Sequence, residues 1–365
     1  MAQLKVGVIG GGLVAQVEHL PNLAALPELF RLVGIADPSQ KVRTHLAERY
    51  GIKAHATAES LLAEPLDAVV IATPDPYHAD LIVMALERGL HVFCEKPLCY
   101  PVADADRIAA ARDKAGKIVQ VGYMKRFDPA YIALRDILAA RQGPLRAVTV
   151  DVVDSDAWAY VAHRDLVTPD DIPPALIAEN SVRRTQQVNA ALGVPNPDPL
   201  VFRGFSGPFS SSLVHDLNLV QGLLAAARTN IGPPIGAGFI AGDVGGHLSA
   251  KLEPGDAIVS MTWVAAPKVA YYSERIRMVF EDAVYELEFP SPYLNHHPTQ
   301  LIERRSDGHH FEAIHHRPSY AEPFVEELKG WHAAIAGGAP VVNTVEQAGI
   351  DMGLLAKFAR LALPR

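Results

Sequence analysis

The sequence predicts an α/β first half built on a doubly wound parallel sheet, a Rossmann unit, followed by an α+β second half whose open sheet is mainly antiparallel. Three observations carry that expectation. Between residues 6 and 121, short apolar runs alternate with stretches of helical periodicity, the pattern of crossover units that cover a parallel sheet on both faces. The first run ends directly in the turn Gly10-Gly11-Gly12. After Gly143-Pro144 the texture changes to period-two alternation, as in residues 145–152 and 257–263.

Taken in order, the first half has further strands at 30–36, 67–72, 90–94 and 118–121. Helices at 79–88 and 102–115 are closed by Gly89 and Gly116, where a helix end favours a left-handed residue. In the second half a hairpin around 281–283 joins strands at 276–280 and 284–289, and two helices begin near Tyr320 and Thr344. Asn343 or Thr344, ahead of Glu346 and Gln347, forms a capping box for the last helix. The expected domains are 1–124 and 125–365, with the C-terminal helix packing back on the first domain.

A glycine turn between strand and helix delivers the pyrophosphate of a dinucleotide to a helix N-terminus. Gly10 gives the tight turn, Gly12 lets the backbone approach the phosphates, Leu13 and Val14 open the helix, and Ala15 lets it pack closely on the strand. The second apolar run ends in Asp37, near the spacing expected of the acid that binds the adenosine ribose. Its carboxylate suits NAD and repels the 2′-phosphate of NADP. Arg43, a few residues on, keeps NADP as the less favoured option.

Composition sets limits on function. The chain has 365 residues, 49% of them hydrophobic, enough to bury a large core. A formal charge of −8 without a basic face argues against nucleic acid. No secretory core or membrane-spanning run is read from the sequence, so a cytoplasmic protein is expected. Cys94 and Cys99 are too few for a disulfide framework and read as free buried thiols.

In an open α/β sheet chemistry sits beyond the carboxyl ends of the strands. Two ends stand out, Thr73-Pro74-Asp75-Pro76-Tyr77-His78 after the strand at 67–72, and Glu95-Lys96-Pro97 after that at 90–94. A lysine at such an end can hydrogen-bond a carbinol oxygen as hydride departs, which makes Lys96 the first catalytic candidate. The bland alternative is a solvated surface lysine, or one paired with Glu95.

These motifs, together with Gly122-Tyr123-Met124-Lys125-Arg126-Phe127-Asp128-Pro129 and the stretches at 323–328 and 343–346, resemble the glucose-fructose oxidoreductase and inositol dehydrogenase family (Gfo/Idh/MocA) over nearly the whole chain. The resemblance implies a nicotinamide-dependent dehydrogenase of sugars, cyclitols or related polyols, with Lys96 catalytic, a cis Lys96-Pro97 bond, and oligomer contacts through the second sheet giving a homodimer or homotetramer. The cofactor-binding set then also takes Thr73, Pro74, His78, Glu95, Lys96 and Arg126, and the substrate-binding set Lys96, Tyr123, Arg126, Trp158, Ser211 and His215.

The family also carries a helix with Asp-x-x-x-His, and its counterpart is Ser211-Ser212-Leu213-Val214-His215. His215 matches; Ser211 replaces the acid. A spacing of four puts both on one helix face, with His215 suited to accept the hydroxyl proton and Ser211 able only to hydrogen-bond. Asp216, one step round, reads as capping, pairing or orienting. Residues 155–205 depart from the family. They read as a lid or pocket wall offering Trp158, Tyr160, His163 and Arg164 to a sugar, or equally as a surface excursion. The pairs His296-His297, His309-His310 and His315-His316 lack a metal-ligand pattern, so no metal is assigned.

The expected activity is NAD-dependent oxidation of a secondary hydroxyl of a sugar, sugar derivative or cyclitol, or reduction of the matching ketone. Two alternatives stay open: glycoside cleavage through transient oxidation and elimination, and a non-catalytic dinucleotide sensor.

Overall fold

Strand β1 (Leu4–Ile9) runs into a π-helical turn, Ala15–His19, and then α1 (Leu20–Ala24). The computed structural model describes residues 3–240 and 244–364. The alternation continues through β2 (Phe30–Ala36), α2 (Gln40–Tyr50), β3 (Lys53–His55), α3 (Ala58–Leu62), β4 (Ala68–Ile71), α4 (His78–Glu87), β5 (His91–Glu95), α5 (Val102–Ala115) and β6 (Val119–Gly122). Next come α6 (Pro129–Ala140), β7 (Leu145–Asp154), α7 (Trp158–Val161), α8 (Pro174–Leu192) and α9 (Pro199–Gly204). A second π-helical stretch, Phe205–Leu213, feeds α10 (Val214–Ala226). Strands β8 (Asn230–Ile240), β9 (Gly245–Glu253), β10 (Ile258–Ala265), β11 (Ser273–Phe280), β12 (Ala283–Phe289), β13 (Gln300–Ser306) and β14 (Phe311–His316) precede α11 (Pro323–Gly337) and α12 (Val345–Leu361).

The chain divides into two compact units, each assembled from separated stretches. The first comprises 1–123, 161–193 and 324–353. Its six strands are parallel in the order β3-β2-β1-β4-β5-β6, so the order reverses between β1 and β4, where such sheets bind ligands. Val6, Val8, Val70 and Phe93 are fully buried, as continuous apolar strands covered on both faces should be. α11 closes this core with Trp331, whose ring stacks on Phe30 at 5.9 Å and meets Phe93 edge-on at 5.7 Å. Gly116 and Gly193 end α5 and α8 in left-handed conformations. Thr344 caps α12, its hydroxyl accepting from the Gln347 amide at 3.2 Å.

The sequence reading ended the first domain at residue 124, with the C-terminal helix packing back on it; by contacts the first unit also takes in 161–193 and 324–353. The reason is packing: α8 hydrogen-bonds Pro76 O through Gln187 at 3.0 Å, and its Arg183 pairs with Asp80 at 2.8 Å. The first half of α12 lies against α5, close enough that a Cβ on Gly349 would stand 3.0 Å from Ala105 Cβ.

The second unit holds the eight-stranded sheet β14-β13-β12-β11-β7-β10-β9-β8. All pairs are antiparallel except β7 with β10. The hairpin β11–β12 pairs Val279 with Val284. Strand β8, with Pro233-Pro234, carried no strand signal because proline donates nothing to a ladder; it is tolerated at this sheet edge, where the register shifts around Pro234. Among the described residues no helix is long and apolar enough to cross a membrane.

Candidate active site

Register brings the candidate residues of the first unit to one edge of its sheet. Ile9 pairs with Ala36 on one side and Ile71 on the other, and Ile71 pairs with Cys94. Gly10, Asp37, Thr73 and Lys96 therefore leave neighbouring strands at the same carboxyl end. The glycines divide the work as their surroundings require. Gly10 has φ +94° and donates to Ala36 O at 2.8 Å; a Cβ there would stand 2.3 Å from Ala72 O. A Cβ on Gly12 would meet nothing within 4 Å, which leaves open the approach a pyrophosphate needs.

Leu13 is partly exposed and Val14 half-buried at the start of the helical stretch. Gly11 was given no role by the sequence, yet its N–H donates to Asp37 Oδ2 at 2.8 Å, and a Cβ there would press on Val42 at 2.6 Å. Asp37 also accepts from Ser39 N at 2.8 Å. Burial pushes its carboxyl above the ordinary range, with these two N–H groups working the other way. The Thr73 hydroxyl is buried without a hydrogen-bond partner, a polar atom left for a ligand to satisfy. The open face at Gly12, the acid at the end of β2 and this hydroxyl fit a bound dinucleotide.

Two substitutions separate these roles. Gly10→Ala is expected to cost about 2–4 kcal/mol of stability through positive φ and collision with Ala72. Gly12→Ala should leave the thermal midpoint nearly unchanged while weakening NAD binding by about tenfold, measured by calorimetry.

Lys96 follows β5 through a cis Lys96-Pro97 bond and is half-buried. Beside it, Glu95 accepts from Lys96 N at 3.1 Å and from His19 Nε2 at 2.7 Å. Burial raises the Glu95 carboxyl, but the His19 hydrogen bond and the Lys96 field bring it below the ordinary range. His19 lies on the π-helical turn after the glycines and is 1% exposed, so this buried pair ties the helical stretch that follows the glycine turn to the strand end that carries Lys96. Nothing local in the sequence marked His19, because its partner is 76 residues away.

Other predicted residues are tied into the scaffold. His78 was expected against the cofactor; it is fully buried, with Nδ1 2.8 Å from Pro97 O and Nε2 2.9 Å from Thr73 O, and joins the two strand-end loops. Pro74, exposed, precedes it. Tyr123 was expected to touch substrate but is 1% exposed, and burial drives its phenol well above the usual range. Cys94 and Cys99 are buried free thiols; burial pushes Cys99 up to about 12.

In the second unit Arg126, expected near nicotinamide and substrate, clamps α6 to α10. Its Nη1 donates to Tyr131 Oη at 2.8 Å and Asn218 O at 3.2 Å, and a Cβ on Gly222 would stand 1.3 Å from that nitrogen. His215 is half-buried in the first turn of α10. Ser211 lies in the preceding π-helical stretch and donates to Gly207 O at 2.6 Å, so its proton is spent on its own helix. Trp158 is 60% exposed, and Arg164 donates to Val17 O at 3.2 Å within the first unit. The atypical segment is divided between the two units, residues 155–160 falling in the second and 161–193 in the first.

Next to His215 is a buried ionic cluster that sequence reading did not assemble. Lys125 Nζ lies 2.5 Å from Glu274 Oε1, and Tyr272 donates to the other oxygen of Glu274. Burial, then the charge of Glu274, drives Asp216 well above the ordinary carboxylate range, while Lys125 pulls it back. Burial opposes charge on Lys125 too, but Glu274 and Asp216 hold its amine above the usual lysine range. An inward glutamate on β11 was the one signal available, since Glu274 occupies the alternation otherwise held by Ile276 and Met278.

Among known proteins, residues 4–123 match the model of an oxidoreductase family with an NAD-binding Rossmann fold. Inositol 2-dehydrogenase 1 of Saccharopolyspora erythraea is 26% identical over 343 residues, covering 92% of this chain and 87% of that protein. Inositol 2-dehydrogenase of Streptomyces avermitilis is 31% identical over 193 residues, 52% of each. A 3-ketoreductase from Actinomadura kijaniata, solved with NADP and TDP-benzene, shares the fold at TM-score 0.71 and 20% identity, covering 99% of this chain and 98% of that one.

Proposed function

We propose, for a chain whose nucleotide-binding region belongs to the Gfo/Idh/MocA oxidoreductases, that it oxidises a secondary hydroxyl of a cyclitol or sugar with NAD, or reduces the corresponding ketone. The observation that carries this reading is Lys96 at the strand end beside Thr73 and the glycine turn, on a backbone fixed by Glu95 and His19. A bound nicotinamide supplies the hydride acceptor. The Lys96 ammonium donates a hydrogen bond to the carbinol oxygen and stabilises the charge that develops there. By its match to the family's helix motif, His215 is the residue assigned to accept the hydroxyl proton. Ser211, whose hydroxyl donates to Gly207 O, supplies no carboxylate chemistry.

The test is turnover of purified protein with NAD against a panel of inositols, sugars and nucleotide sugars, followed by NADH absorbance. Stoichiometric NADH with one substrate class supports the reading; release of a sugar with no net NADH overturns it. His215→Asn is expected to lower kcat by about 10²-fold and remove the limb of the pH–rate profile that reports the base, with NAD binding retained.

A further inference from the structure

Residues 163–173 run along the first unit from the start of the phosphate-binding helix to α2. Arg49 Nη1 donates to Asp165 O at 2.9 Å; two residues on, Gln16 Nε2 donates to Val167 O at 2.9 Å and Val167 N returns the bond to Gln16 Oε1 at 2.9 Å. The segment delivers Asp170 and Asp171 to the turn that follows Asp37. There the Asp171 carboxylate accepts from the Ser39 hydroxyl and from Lys41 N at 3.1 Å, and Asp170 Oδ2 lies 2.8 Å from Lys41 Nζ. Arg43 spends its Nη1 on the carbonyls of Asp37 and Pro38, at 3.2 and 2.9 Å.

A hydroxyl, a first-turn helix N–H and an ammonium grouped beside the ribose-binding acid form a donor set suited to a phosphate on the ribose 2′ oxygen. Here the chain's own carboxylates fill it. We propose that Asp171, with Asp170, sets cofactor choice: these side chains occupy the donors a 2′-phosphate would use, add like charge to that of Asp37, and so select NAD over NADP. The selection comes from a segment more than 130 residues beyond the glycine turn and outside the usual strand-end acid. The inference rests on the first unit holding a dinucleotide.

Calorimetric titration of the full chain with NAD, NADP, 5′-AMP and 2′,5′-ADP tests it without reference to turnover. The wild type should bind NAD more tightly than NADP. Asp171→Asn, and the double variant Asp170→Asn/Asp171→Asn, should tighten NADP and 2′,5′-ADP by about tenfold and leave NAD and 5′-AMP within about twofold. The asparagines preserve volume, and an unchanged far-ultraviolet dichroism spectrum checks the fold. A wild type that binds both cofactors equally, or variants that shift both in parallel, would overturn the proposal while leaving the dinucleotide reading intact. Failure of the wild type to bind even NAD and 5′-AMP would overturn both.

Discussion

Lys96→Met should lower kcat by about 10³-fold and leave the dissociation constant for NAD within about threefold. Methionine keeps an unbranched stem at the end of β5 and removes only the ammonium, so the loss reports the charge presented to the alcohol oxygen. Lys96→Arg should rescue little, because a planar guanidinium cannot place a single donor as an ammonium does. The backbone support makes a second, graded expectation. Glu95 accepts from both His19 Nε2 and the Lys96 amide. Glu95→Gln should therefore retain the fold yet cost activity through a displaced strand end, with the larger share in kcat rather than KM. Rapid-mixing kinetics beside an NAD titration would check both. Unchanged turnover in Lys96→Met would remove the residue from the chemistry and with it the proposed reaction.

The contrast between Lys96 and Arg126 shows what the sequence carried and what it lacked. Lys96 was readable because its position depends on local features: an apolar run, a strand end and a following proline. Arg126 stands in an equally ordered motif, but its fate depends on Tyr131 and on Asn218, 92 residues away, whose carbonyl it reaches because Gly222 leaves room on α10. His78 and Tyr123 follow the same rule, since strand-end motifs say where the backbone goes and not which side chains turn inward. Parallel strands and their glycine-capped helices were legible from periodicity. The edge strand β8 was hidden by its prolines, and the π-helical geometry at Phe205–Leu213 by the absence of any period that marks it. The return of α8 and α11 to the first unit rests on contacts such as Trp331 on Phe30, 301 positions apart in the numbering, which no local pattern encodes.

Glu274→Ala should destabilise the second unit by about 3–5 kcal/mol, because it leaves the Lys125 ammonium buried without its ion-pair partner. A thermal midpoint lower by on the order of 5–10 °C is the expected readout. The double variant Lys125→Met/Glu274→Met should recover most of that loss, since an apolar pair needs no compensating charge, whereas two independent structural defects would add. Asp216 gives the cluster a pH dependence whose sign follows from linkage. Its folded-state carboxyl titrates well above the ordinary aspartate value, so the folded chain holds a proton that the unfolded chain releases from about pH 4 upward. Stability from this group is greatest below that value and declines as pH rises toward the folded-state titration. Lys125, held above the usual lysine range, contributes its own loss only at strongly alkaline pH. Asp216→Asn should thus flatten the decline that sets in above about pH 4, measured as urea midpoints at a series of pH values. A variant that keeps the wild-type slope would show that the burial of Asp216 beside Glu274 is not what sets it.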